Sequence, residues 1–92
     1  MAIKVLIPQV LQKLTSGRNE LILENVENVS SMIIKLEADY PGFQERLCDE
    51  GGNIRRFINI FVNGSDIRFL SQERTELKEG DEVSIIPAIT GG

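Results

Sequence analysis

Ninety-two residues, 41% of them apolar and 26% charged, suffice for one domain around a single core and leave no tract too polar to fold. A net charge of −4 argues against a surface that tracks nucleic-acid phosphates, and no apolar run approaches the roughly 20 residues that cross a bilayer. With no histidine and one cysteine, Cys48, the chain lacks the usual general base near pH 7, the commonest metal ligand and any internal disulfide, so neither a catalytic residue nor a metal site is expected within it.

Met1-Ala2-Ile3-Lys4 runs directly into an alternating pattern rather than the apolar stretch of a signal peptide. Together with the lone thiol, this makes the cytoplasm the expected compartment. Ile3, Val5 and Ile7 alternate with Lys4 and Leu6, the period of a strand with one face buried. A polar stretch containing Ser16-Gly17-Arg18-Asn19 separates it from Leu21-Ile22-Leu23, which can return antiparallel across a long loop. From Val29 the period changes. Val29, Met32, Ile33, Leu36 and Tyr40 share one helical face, with Asn28 placed to cap the first turn and Pro41-Gly42 to end the last. A short helical turn is expected over Phe43 to Cys48, before a Gly51-Gly52-Asn53 loop.

Phe57 to Val62 is the strongest strand signal, and Asn63-Gly64 after it favours a tight hairpin whose partner is expected over Asp66 to Leu70. Glu79-Gly80-Asp81 reads as a turn before the last strand, Val83-Ser84-Ile85-Ile86. A hairpin, one covering helix and a late strand returning beside the first give an α+β class, a mixed sheet packed on one main helix. Periodicity leaves the neighbour relations open.

The final Asp81-Glu82-Val83-Ser84-Ile85-Ile86-Pro87-Ala88-Ile89-Thr90-Gly91-Gly92 resembles the end of the ubiquitin-like sulfur carriers, a family that includes the thiamine-synthesis carrier, the small subunit of molybdopterin synthase and a cysteine-synthesis carrier. Phe57-Ile58-Asn59-Ile60-Phe61-Val62-Asn63, Asp66-Ile67-Arg68-Phe69 and the opening Ile7-Pro8 with Leu11 look most like the cysteine-synthesis branch. Thr90 stands where that branch usually has alanine, although threonine is familiar at this place in the molybdopterin subunit. The resemblance implies a β-grasp domain over residues 1–88 and a flexible tail, Ile89, Thr90, Gly91 and Gly92.

The resemblance further implies that the working group is the Gly92 carboxylate. An ATP-dependent, ubiquitin-activating-like enzyme would join it to AMP, and sulfur would replace the adenylate to leave a thiocarboxylate. In the cysteine branch a pyridoxal-phosphate-dependent O-phosphoserine sulfhydrylase would supply a bound aminoacrylate as acceptor, and a metalloprotease would release cysteine. ATP and pyridoxal phosphate belong to those partners; no cofactor is expected on this chain, and no nucleic-acid or membrane partner. The alternatives are the molybdopterin synthase small subunit, a ubiquitin-like modifier joined to lysines through Gly92, and a binding module that needs no tail.

Three further features stand apart from the tail. Cys48 could be a sulfur-bearing residue, but without a histidine or second cysteine it reads as a packing residue. Phe61, on the strand face opposite Ile58, Ile60 and Val62, and Ile86 before the tail are candidates for a partner interface; the alternative is that both are core. Glu73, Glu76, Glu79, Asp81 and Glu82 form an acidic stretch that reads as a solvated turn or as a steering charge for a basic enzyme surface.

Overall fold

The computed structural model describes residues 2–88 of the chain. Ile89, Thr90, Gly91 and Gly92, expected to form the tail, lie outside the described residues. Five strands run Ala2–Leu6 (β1), Glu20–Glu24 (β2), Ile58–Val62 (β3), Ser65–Asp66 (β4) and Glu82–Pro87 (β5). Two helices lie between β2 and β3, Val29–Asp39 (α1) and the short Phe43–Leu47 (α2). The sheet order is β2-β1-β5-β3-β4, with β1 and β5 parallel and the other neighbours antiparallel. This mixed sheet around one main helix is the β-grasp arrangement.

Alternation in sequence becomes a two-sided sheet. Ile3, Val5, Val83, Ile85, Ile58 and Ile60 are buried and join Val29, Met32, Ile33 and Leu36 of α1 in one core. Asn28 starts the helix as expected. Its side chain accepts from the Ser31 amide at 2.8 Å, while the Ser31 hydroxyl accepts from the Asn28 amide at 3.1 Å, satisfying two end amides that would otherwise lack partners. Gly42 then turns the chain with φ 116°, a conformation that favours glycine, and a Cβ there would stand 2.9 Å from a Leu14 methyl, which would have to shift. The Glu37 carboxylate at the end of α1 accepts from the amides of Gly42 and Gln44 at 3.0 and 2.9 Å and so tethers the start of α2.

Two expectations change. The segment between β1 and β2 is not a plain loop but carries a 3-10 helix over Gln9–Thr15, because Leu11 buries its side chain in the core. Thr15 is buried there too, its hydroxyl set 2.7 Å from the Arg18 carbonyl and 3.2 Å from that of Gln12. The return strand after Asn63-Gly64 is also shorter than Asp66 to Leu70. Only Ser65 and Asp66 pair with β3, after which a 3-10 turn covers Ile67–Phe69. The Asp66 carboxylate accepts from the Arg68 amide at 2.9 Å and starts that turn, while Ile67 drops into the core.

Candidate functional site

The two faces of the sheet differ in what they meet. Directly opposed residues share a face, so the register places Glu20, Leu6, Ser84, Phe61 and Asp66 in one row across all five strands on the side away from the core. A second row on that side joins Ile22, Lys4 and Glu82, and a third pairs Ile86 with Asn59. Phe61 is half-buried by its sheet neighbours, whereas Ile86 is 49% exposed.

These side chains do not stand alone. The end of β1 bends away at Pro8 into the 3-10 helix, while β5 continues to Pro87 without β1 beside it. The divergence opens an apolar groove of about 410 Å³ lined by Leu6, Pro8, Val10, Ile86 and Pro87. Val10, 53% exposed, and Ile86 form its rims. On the other side of β5, the Ala88 amide donates to the Phe57 carbonyl, and Phe57 is itself exposed. The groove therefore ends where the chain leaves the sheet, and Glu20, Glu24, Asp66 and Glu82 fringe the open face with acid.

The acidic stretch is partly committed to local structure. The Asp81 carboxylate accepts from the Lys78 amide at 2.8 Å and from the Asn63 side-chain amide at 2.9 Å. Asn63 accepts in turn from the Glu82 amide at 3.0 Å, so the β3–β4 turn and the start of β5 are stapled together. Glu79 accepts from the Ala2 amide at 2.7 Å. Sequence reasoning missed this Asn63–Asp81 staple, whose partners are 18 positions apart; the only signal was that each belongs to a turn dipeptide. Among the described residues, no cluster of three or more His, Cys, Asp or Glu is placed to hold a metal, and no helix is long and apolar enough to cross a membrane.

Cys48 ends α2 and is buried. Burial pushes its thiol above the ordinary range, Asp49 and Glu73 add to the shift, and Arg55 opposes it, so near neutral pH it is a protonated packing group and a poor nucleophile. The sign for stability follows. Below about pH 8.5 both folded and unfolded chains hold the proton; above it the unfolded chain loses its proton first, and stability falls as pH climbs toward the folded value. Urea midpoints taken from pH 7 to 10 should therefore fall more steeply for the wild type than for Cys48→Ala, whereas parallel slopes would show that the buried thiol contributes nothing to the alkaline limb.

Comparison with known proteins matches residues 5–92 to the ThiS family. The chain is 38% identical to the sulfur carrier protein CysO of Mycobacterium tuberculosis over 94 aligned positions, covering all of both chains. Its backbone matches a chain of the BexX/CysO complex of Amycolatopsis orientalis with a TM-score of 0.89 and 34% identity, over 98% of this chain and 99% of that one. It is also 34% identical over 64 residues to small archaeal modifier protein 3 of Haloferax volcanii, covering 70% of this chain and 68% of that one.

Proposed function

The chain belongs to the ThiS family, and on that premise we propose that it is a sulfur carrier, a co-substrate whose Gly92 carboxylate is adenylated and then converted to a thiocarboxylate. The observation that carries the proposal is that the match to the mycobacterial carrier runs through both chains from end to end, so Gly91 and Gly92 fall inside it.

A terminal carboxylate has a pKa of roughly 3.3–3.7 and is an anion at pH 7, which repels a sulfur nucleophile. Joining it to AMP removes that charge and provides a leaving group. A sulfur donor then adds to the carbonyl carbon and AMP departs, leaving one oxygen of Gly92 replaced by sulfur. Neither step requires a side chain of this domain. Gly91 and Gly92 contribute by having none, so the tail can enter a channel too narrow for a larger residue.

The sheet's open face is the handle. Phe61 and Ile86 would dock on an apolar patch of the adenylating enzyme, with Leu6 and Val10 completing the contact and the acidic fringe favouring a partner surface rimmed by Lys and Arg. For the acceptor we favour O-phosphoserine, carried by a pyridoxal-phosphate-dependent sulfhydrylase, with a metalloprotease restoring Gly92. The likeness to CysO proteins supports that branch. ATP and pyridoxal phosphate supply their chemistry on the partners. A second reading, a modifier joined through Gly92 to lysines of other proteins, is favoured by the likeness to the Haloferax modifier and shares the activation step.

The test is the intact mass of the chain after incubation with its activating enzyme, ATP and a sulfide source, then with O-phosphoserine and the sulfhydrylase. Exchange of one oxygen for sulfur followed by gain of a cysteine residue is expected. Oxygen-for-sulfur exchange without the gain moves the carrier to another acceptor, such as the pterin precursor of molybdopterin synthase. An isopeptide ladder formed in cells without a sulfur donor would favour the modifier.

A further inference from the structure

β4 is too short to cover β3. Its two residues pair with Phe61 and Val62, which leaves the Ile58–Ile60 half of that edge without a strand neighbour. One side chain takes part of the missing strand's place. The Arg68 guanidinium reaches back from the 3-10 turn after β4, and its Nη2 donates to the Arg56 carbonyl at 2.9 Å and to the Ile58 carbonyl at 3.3 Å.

Those two carbonyls flank Phe57. Arg56 and Phe57 are the central residues of a turn closed by the Ile58 amide on the Arg55 carbonyl at 3.0 Å, so a donor that holds the carbonyls of residues 56 and 58 restrains the peptide planes on either side of the one that carries the Phe57 carbonyl. That intervening carbonyl, of Phe57, accepts the Ala88 amide. Ala88 is the residue from which the last four residues of the chain continue. The connection runs from guanidinium to carbonyl, through one peptide plane, to the amide at the root of the tail.

We propose that Arg68 is a positioning residue that sets the direction in which the chain leaves the sheet at Ala88, and through it the delivery of Gly92 to the adenylating enzyme. The second clause rests on the carrier reading. An extended run of four residues spans about 13 Å, so a small rotation at its root displaces its end by an ångström or more. Holding the root in one direction also lowers the ordering cost at the moment of binding. Both bonds come from Nη2, whose two N–H groups are fixed in the guanidinium plane; lysine keeps the charge but carries its donors on a shorter, freely rotating ammonium.

The experiment compares wild type, Arg68→Gln and Arg68→Lys by amide hydrogen exchange and by the steady-state kinetics of ATP-dependent pyrophosphate release with the activating enzyme. In both variants the Ala88 amide should exchange about fivefold faster or more while core amides such as Val5 and Ile85 keep their protection, because only a local opening is made easier. The KM for the carrier should rise about three- to tenfold with kcat within about twofold, the pattern of lost orientation on binding rather than lost chemistry. Arg68→Lys behaving like Arg68→Gln would separate the clamp from simple charge steering. Unchanged Ala88 exchange in a folded variant overturns the proposal whatever the kinetics show. Faster exchange with an unchanged KM overturns the link to delivery, whereas a wild-type chain that is not adenylated by a competent enzyme overturns the carrier reading and leaves the exchange result to decide the clamp.

Discussion

Removal of Gly92 alone is expected to lower adenylation by about 10³-fold or more, with no change in folding stability. The shortened chain would still end in a carboxylate of ordinary pKa, so the chemistry is not forbidden to it. What it loses is reach. One residue fewer withdraws the reactive carbon by about 3.3–3.6 Å, and a reacting group misplaced by even about 1 Å in a fixed active site can cost about 100-fold. Stability is untouched because the core and the sheet register are complete by Pro87. Intact mass after reaction, beside thermal unfolding of the same sample, checks both halves. A chain ending at Gly91 that is adenylated at the wild-type rate would sink the carrier assignment of Gly92.

Ile86→Asp is expected to raise the KM for the carrier in the same reaction by at least about tenfold, equivalent to about 1.4 kcal/mol of lost binding. Ile86 stands on the rim of the apolar groove and beside the chain's exit from the sheet, so a partner that receives the tail must pass close to it. Placing a carboxylate there puts an unpaired charge into a contact that excludes water and adds to the negative charge of Glu82 on the same strand. The strand itself should survive, since the pairing of Ile86 with Asn59 uses backbone groups and the side chain is half exposed in the free protein. Phe61→Ala should act in the same direction but also cost about 1–2 kcal/mol of stability, because that ring is partly buried against its neighbours. Wild-type kinetics for Ile86→Asp would place the docking surface elsewhere.

Local periodicity carried most of the fold. The period-two runs at Ile3–Ile7 and Ile58–Val62 and the 3.6-residue run from Val29 each describe a side chain's relation to its near neighbours, and each emerged with the expected face buried. The Asn28 cap and the Asn63-Gly64 turn are local too, although the return bond from Ser31 that completes the cap was not read from the sequence. The missed features are those in which tertiary contacts override or complete a local pattern. Leu11 and Thr15 are drawn into the core by a 3-10 helix that reads in sequence as part of a loop, and Ile67 ends β4 early by turning inward. The order of strands, the Asn63–Asp81 staple and the Arg68 clamp join distant positions, which no single-sequence period can encode. Phe61 and Ile86 were legible in the sequence as apolar candidates for a partner interface; the groove between Ile86 and Val10 was not, because it exists only where β1 and β5 part company.

The parallel pairing of β1 with β5 also has a consequence for biosynthesis. Lys4 faces Glu82, so two adjacent inner strands come from opposite ends of the described residues, and the sheet cannot close until β5 has been made. A nascent or truncated chain lacking β5 would leave β1 and β3 with bare edges and would have neither groove nor exit point. On the carrier reading, an activating enzyme that docked on this face would bind only chains in which β5 has already paired with β1 and β3, so folding itself would gate the first step.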